Sequence, residues 1–158
     1  MDADLLLRLF SALDEERVEY ALIGGLAVNL HGVVRATEDV DLFVRVDAPN
    51  VERLKAALRR VFDDPEIDAI AADELAGPYP VVRYVPPGGA FSIDVVTRLG
   101  ERVDFGDLEV ESRDLEGVRV RVATARTLYR LKRDTVRPID AQDAARLRAA
   151  FDLEEDDD

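Results

Sequence analysis

The chain has 158 residues, 47% hydrophobic and 35% charged, which places it among ordinary globular sequences long enough to bury a core. No apolar run reaches the ~18 residues a membrane-spanning helix needs, the acidic start MDADLLLRLF lacks the basic n-region of a signal peptide, and the absence of cysteine excludes disulfides and thiolate metal sites. A formal charge of −13 repels nucleic acid and anionic membranes on average, and cytoplasmic residence is the expectation.

In chain order, residues 3–16 set Leu5, Leu6, Leu9 and Leu13 at helical spacing. VEYALIG (18–24) reads as a short apolar strand broken by Gly24-Gly25, and LAVNLHG as a helix closed by Gly32. EDVDLFVRV (38–46) is a strand by its β-branched and aromatic content. Asp47 and Pro49 open a helix with Val51, Leu54, Leu58 and Val61 on one face. Residues 63–80 form an irregular connection with a short helix at 72–75. YPVVRYV (79–85) and FSIDVVTRL (91–99) flank the turn PPGGA and predict a hairpin, and GVRVRVA (117–123) alternates as a half-exposed strand. TARTLYRLKRD and PIDAQDAARLRAAF read as two helices separated near Pro138. The fold class is therefore α+β (mixed α/β), a small mixed sheet with helices packed on it. Residues 1–151 form one domain, followed by an acidic tail over 152–158, where six of seven residues are acidic.

Asp39 and Asp41 stand out because aspartate is a poor strand former. Either this strand shows one face to water, or the two carboxylates hold something positive. As i and i+2 on a strand they share a face, with Val40, Leu42 and Val44 on the other. Asp94 sits in a second strand-like segment between Ile93 and Val95, and if the two strands are neighbours, three carboxylates converge. Two such charges ~5 Å apart repel by roughly 3 kcal/mol at an effective dielectric of ~20. Oxygen-only ligands of this kind suit Mg²⁺, with Mn²⁺ as the alternative ion. In a chain with 34 acidic residues a D-x-D also arises by chance, as a solvated surface pair. Gly24-Gly25 after a strand offers backbone N–H groups to an anion, or is simply a tight turn. Residues 119–137 hold seven basic residues and one acidic, a net of +6, which could meet phosphates or form a wet helix face. His31 reads as helix-end packing, and Tyr79, Tyr84 and Tyr129 as packing side chains.

Taken together, IGGLAVNLHGVVRATEDVDLFV resembles the nucleotidyltransferases of the DNA polymerase beta-like superfamily, whose signature is a glycine pair, a helix, a D-x-D strand and a later third aspartate. The closing RTLYRLKRDTVRPIDAQDAARLR resembles their AbiEii/AbiGii toxin-like branch. The likeness runs from about Tyr20 to Phe151. It implies transfer of a nucleoside monophosphate from an NTP to an acceptor hydroxyl, on RNA, protein or a small molecule such as an antibiotic, with an antitoxin protein as partner. It further implies that Gly24 and Gly25 cradle the triphosphate and that Asp39 and Asp41 bind two Mg²⁺ ions. Asp94 would complete the metal site and orient or deprotonate the hydroxyl. Arg35 and Thr37 lead into the strand and could touch phosphate, and Lys132 and Arg137 could reach the β- and γ-phosphates. Asp140 and Asp143 read as capping and solvating the last helix, although the resemblance offers Asp140 as a salt-bridge partner for Lys132. Two departures stand out: Gly25 replaces the serine common in the superfamily, and Ile139 replaces the lysine of similar R-P-K-D segments. A binding module that keeps the fold without transferring anything is the alternative from another class.

Overall fold

The computed structural model describes residues 2–32, 37–78, 80–99, 103–133 and 138–153. Along the chain these form α1 (Ala3–Glu15), β1 (Tyr20–Ile23), α2 (Gly24–Leu30), β2 (Asp39–Val44), α3 (Ala48–Val61), α4 (Ala72–Leu75), β3 (Val81–Tyr84), β4 (Ser92–Val96), β5 (Arg98–Leu99), β6 (Val103–Asp104), β7 (Val110–Leu115), β8 (Val118–Ala123), α5 (Ala125–Arg133) and α6 (Pro138–Phe151). Short 3₁₀ turns cover Pro65–Ala69 and Phe105–Asp107. Six strands make one mixed sheet in the order β3-β4-β2-β1-β8-β7, and β5 pairs with β6 separately. Tyr84 and Tyr129 are buried, as packing residues should be. Arg35, Tyr79, Arg137 and the side chain of Ile139 lie outside the described residues.

Local chemistry explains the main elements. Asp2 caps α1 by accepting from the Leu5 amide at 3.1 Å, and Leu6, Leu9, Phe10 and Leu13 bury its inner face. Asp47 caps α3 in the same way through the Asn50 amide at 2.7 Å, with Pro49 in the first turn. α1 packs on α3 and β8, whereas α2, α5 and α6 pack on one another. β2 is central, so its far half, Leu42 to Val44, is buried on both faces. Each fully buried leucine or phenylalanine here contributes about 1.5–3 kcal/mol.

One strand differs from the sequence reading. β7 (VESRDL) carries no apolar alternation, yet it pairs along its whole length with β8. It is an edge strand with a mostly exposed middle, so nothing demands apolar residues there. Its register is set by Glu116 and Gly117, both left-handed at φ 49 and 86, as a two-residue hairpin turn requires. The hairpin of β3 and β4 is present, with Arg83 opposite Asp94.

No helix among the described residues is long and apolar enough to cross a membrane.

One buried polar side chain ties the sheet to α3. Asn50 accepts from the Glu19 amide at 2.8 Å and donates to the carbonyls of Glu19 and Arg45 at 3.0 and 2.8 Å. It thereby joins the start of β1 to the end of β2. Asn50→Leu keeps the volume but leaves these part-buried backbone groups without their partner, and should lower unfolding free energy by about 1–3 kcal/mol in a urea titration.

Candidate active site

Strand register assembles the site. On β2, Asp39 and Asp41 point the same way because strand side chains alternate. β4 runs parallel beside β2 with Ser92 opposite Asp39 and Asp94 opposite Asp41. β1 lies on the other flank with Ile23 opposite Asp41, so the chain bend at Gly24 falls against the same carboxylate. The three aspartates, the glycine pair, Thr37 and Lys132 line one cleft of ≈ 270 Å³. The two glycines and three acids expected to meet do meet.

Gly24 has a specific reason to be glycine. Its φ is +74, and a Cβ placed on it would lie 2.0 Å from Oδ2 of Asp41. Both the left-handed backbone and the close approach exclude a side chain. Thr37 is less open than expected. Its hydroxyl donates to the Asp39 carbonyl at 3.2 Å and accepts from the Asp39 amide at 3.4 Å, which shapes the entry into β2.

Electrostatics set the character of the cleft. Burial, reinforced by the neighbouring carboxylates of Asp94 and Asp39, pushes the Asp41 carboxyl up from 3.8 to about 7, with Lys132 opposing. The hydrogen bond that Asp41 shares with Asp94 adds to that upward shift. Asp39 accepts from the Ser92 hydroxyl. Arg83, on β3, donates from Nε to Asp94 Oδ1 at 2.9 Å and from Nη2 to Oδ2 at 3.1 Å, and its Nη2 lies 3.8 Å from Asp39 Oδ2.

The partners of Lys132 correct part of the sequence reading. Lys132 lines the cleft, and its ammonium sits 3.1 Å from both Asp140 Oδ1 and Asp143 Oδ2. These two acids do not solvate the last helix; they are buried against α5. A buried ammonium needs such partners, because an uncompensated charge there would cost several kcal/mol. Two described arginines of the basic block 119–137 are paired with acids elsewhere in the fold. Arg119 pairs with Asp14 on α1 at 3.1 Å and Arg130 with Glu109 at 3.3 Å. His31 packs as expected: it caps α2, its Nε2 donates to the Ala123 carbonyl at 2.8 Å, and Nδ1 accepts from Arg113 at 3.2 Å.

Arg83 and Ser92 are the site residues that sequence reading missed. A hairpin centred on Gly88 would set Val82 opposite Asp94. The observed register is one residue over and sets Arg83 there, which moves it to the carboxylate face. The available signal was a lone arginine inside an otherwise apolar strand.

Could these residues hold a divalent ion? Among the described residues no three His, Cys, Asp or Glu side chains are already arranged around a common point. The donor set still fits: three carboxylates on adjacent strands, all oxygen.

Two expected outcomes follow. Between about pH 4 and about pH 7 the unfolded chain has released the Asp41 proton while the folded one retains it, so this group makes stability fall as pH rises across that window. In metal-free buffer Asp41→Asn should match the parent near pH 4 and exceed it by about 2–4 kcal/mol at pH 8, read by denaturant unfolding. Gly24→Ala should lose stability by about 1–3 kcal/mol through its forced φ and the displaced Asp41 carboxyl, read by thermal melting.

Similarity to known proteins agrees with this geometry. A crystal structure of an antigenic nucleotidyltransferase-like protein from Paracoccidioides brasiliensis matches with a TM-score of 0.54 and 19% identity, over 94% of this chain and 78% of that one. The crystal structure of ANT(2″)-Ia in complex with adenylyl-2″-tobramycin matches with a TM-score of 0.56 and 16% identity, over 94% of this chain and 88% of that one. At such identities the likeness speaks for the fold. No curated protein matches the sequence. Residues 5–154 match the family described as nucleotidyl transferase AbiEii toxin, type IV TA system. That span takes in the sheet, the cleft and the lysine helix together, and the chain belongs to the AbiEii nucleotidyltransferase family.

Proposed function

We propose that the protein transfers a nucleoside monophosphate from an NTP to an acceptor hydroxyl, releasing pyrophosphate, as the toxin of a toxin–antitoxin pair acting in the cytoplasm. The observation that carries this reading is the register of Asp39, Asp41 and Asp94 beside the bare backbone of Gly24. Asp39, Asp41 and Asp94 would hold Mg²⁺, or Mn²⁺ in its place. Bound there, the ion neutralises carboxylates and triphosphate together and stabilises charge on the entering and leaving oxygens.

The residues of the chain divide the remaining work. Gly24 and Gly25 leave backbone open for the triphosphate. Asp94 accepts the proton of the acceptor hydroxyl as its oxygen bonds to the α-phosphorus and the bond to the β-bridging oxygen breaks. Lys132, held between Asp140 and Asp143, acts at a distance by lowering the cost of charge on Asp41. Thr37 shapes the turn before β2 and so orients Asp39. Roles for Arg35 and Arg137 rest on the resemblance alone.

The acceptor is an RNA end or a protein hydroxyl in this reading. A second reading, transfer to a cationic small molecule, draws on the acidic rim, where Asp39 is 44% exposed, and on the −13 net charge. The structural neighbour with adenylyl-2″-tobramycin is in keeping with it. Incubation with α-labelled NTPs, Mg²⁺ and, in turn, total RNA, protein extract or aminoglycosides should label one pool. Asp41→Ala should reduce that label by about 10²-fold or more. Equal labelling by Asp41→Ala sinks the assignment, and no pyrophosphate release with any acceptor favours a module that binds without transferring.

A further inference from the structure

Arg83 has no part in the transfer scheme above, and its placement is unusual for a residue on an edge strand. Its side chain is 60% exposed, yet it does not extend into water. It folds over the rim of the cleft and holds both oxygens of Asp94, whose side chain is only 15% exposed. The same guanidinium reaches toward Asp39. It is therefore in contact with two of the three acids. A planar guanidinium matches a carboxylate with two parallel bonds, which a solvated ammonium could not do. Such a pair is nonetheless worth little when the cation is exposed to water, so it yields readily to a stronger cation.

We propose that Arg83 is an exchangeable counter-ion: it occupies Asp94 and Asp39 in the metal-free protein and gives up Asp94 when a divalent cation enters the cleft. This inference rests on the metal-site reading given above. It assigns to the arginine two consequences of a single contact. In the empty cleft it holds the acids converged despite their repulsion, and it competes directly with the ion for the Asp94 oxygens.

Mn²⁺ affinity without nucleotide, read by electron paramagnetic resonance of the free ion, tests this on the full chain. Arg83→Gln removes the competing charge and should bind Mn²⁺ about three- to tenfold more tightly than the parent. Arg83→Lys keeps the charge but not the paired bonds and should fall between them. Unchanged or weaker binding by Arg83→Gln overturns the exchange. Asp41→Asn separates this failure from failure of the site itself. If the parent binds and Asp41→Asn does not, the metal site stands whatever Arg83 does; if neither the parent nor Arg83→Gln binds, both readings fall. A second measurement needs no variant at Asp94 or Arg83. In the unaltered protein the Arg83 Nε–H resonance, shifted by its bond to Asp94, should move toward its solvent-exposed position on titration with Mg²⁺. A resonance that stays in place at saturating Mg²⁺ overturns the proposal.

Discussion

Two carboxyl groups face each other across neighbouring parallel strands, Asp41 on β2 and Asp94 on β4, and the rest of the cleft answers to that contact. Side by side in a half-buried setting they cannot both ionise cheaply. The protein divides the difficulty among its neighbours. The Asp41 carboxyl is pushed up to about 7, Asp94 takes the guanidinium of Arg83, and Asp39 takes the hydroxyl of Ser92. Even the bend at Gly24 follows from this contact, because the Asp41 carboxyl stands where a side chain would otherwise be.

The cations near this contact differ in kind. Lys132 is buried and pinned by two acids of α6, so it joins α5 to α6 and contributes a fixed field. Arg83 is exposed and held by the paired oxygens of Asp94. In the proposed reading the fixed charge keeps the helices in place over the sheet, and the exchangeable one leaves room for a divalent cation. The overall acidity of the chain then matters less than local pairing. Among the described basic residues of the +6 block, the fold sends three to different partners: Arg119 to α1's acid, Arg130 to Glu109 and Lys132 to the acids of α6.

Much of this was legible beforehand. The helices over 3–16 and 47–61 follow from apolar spacing and capping acids, and both appear where those signals fall. The D-x-D strand followed by an apolar helix was readable because strand alternation fixes which side chains share a face. Other features needed partners that lie far off in sequence. β7 has no apolar pattern, since an edge strand in water needs none. Asp140 and Asp143 look like ordinary helix-surface acids until α6 packs on α5. Arg83 escaped because one residue of hairpin register decides which face of the sheet it occupies.

The sequence by itself determined which residues could do chemistry: it put Asp39 and Asp41 on one strand face, a glycine pair after the preceding strand, and Asp94 between two apolar residues. These are short-range matters of strand alternation and backbone freedom. The tertiary structure alone decided what those groups touch. Pairing of β4 beside β2, the register of β3, and the packing of α6 on α5 set Asp94 against Asp41, Arg83 against Asp94, and Asp143 against Lys132. Charges interact through space, and no spacing along the chain encodes the distance between strands that meet only after folding.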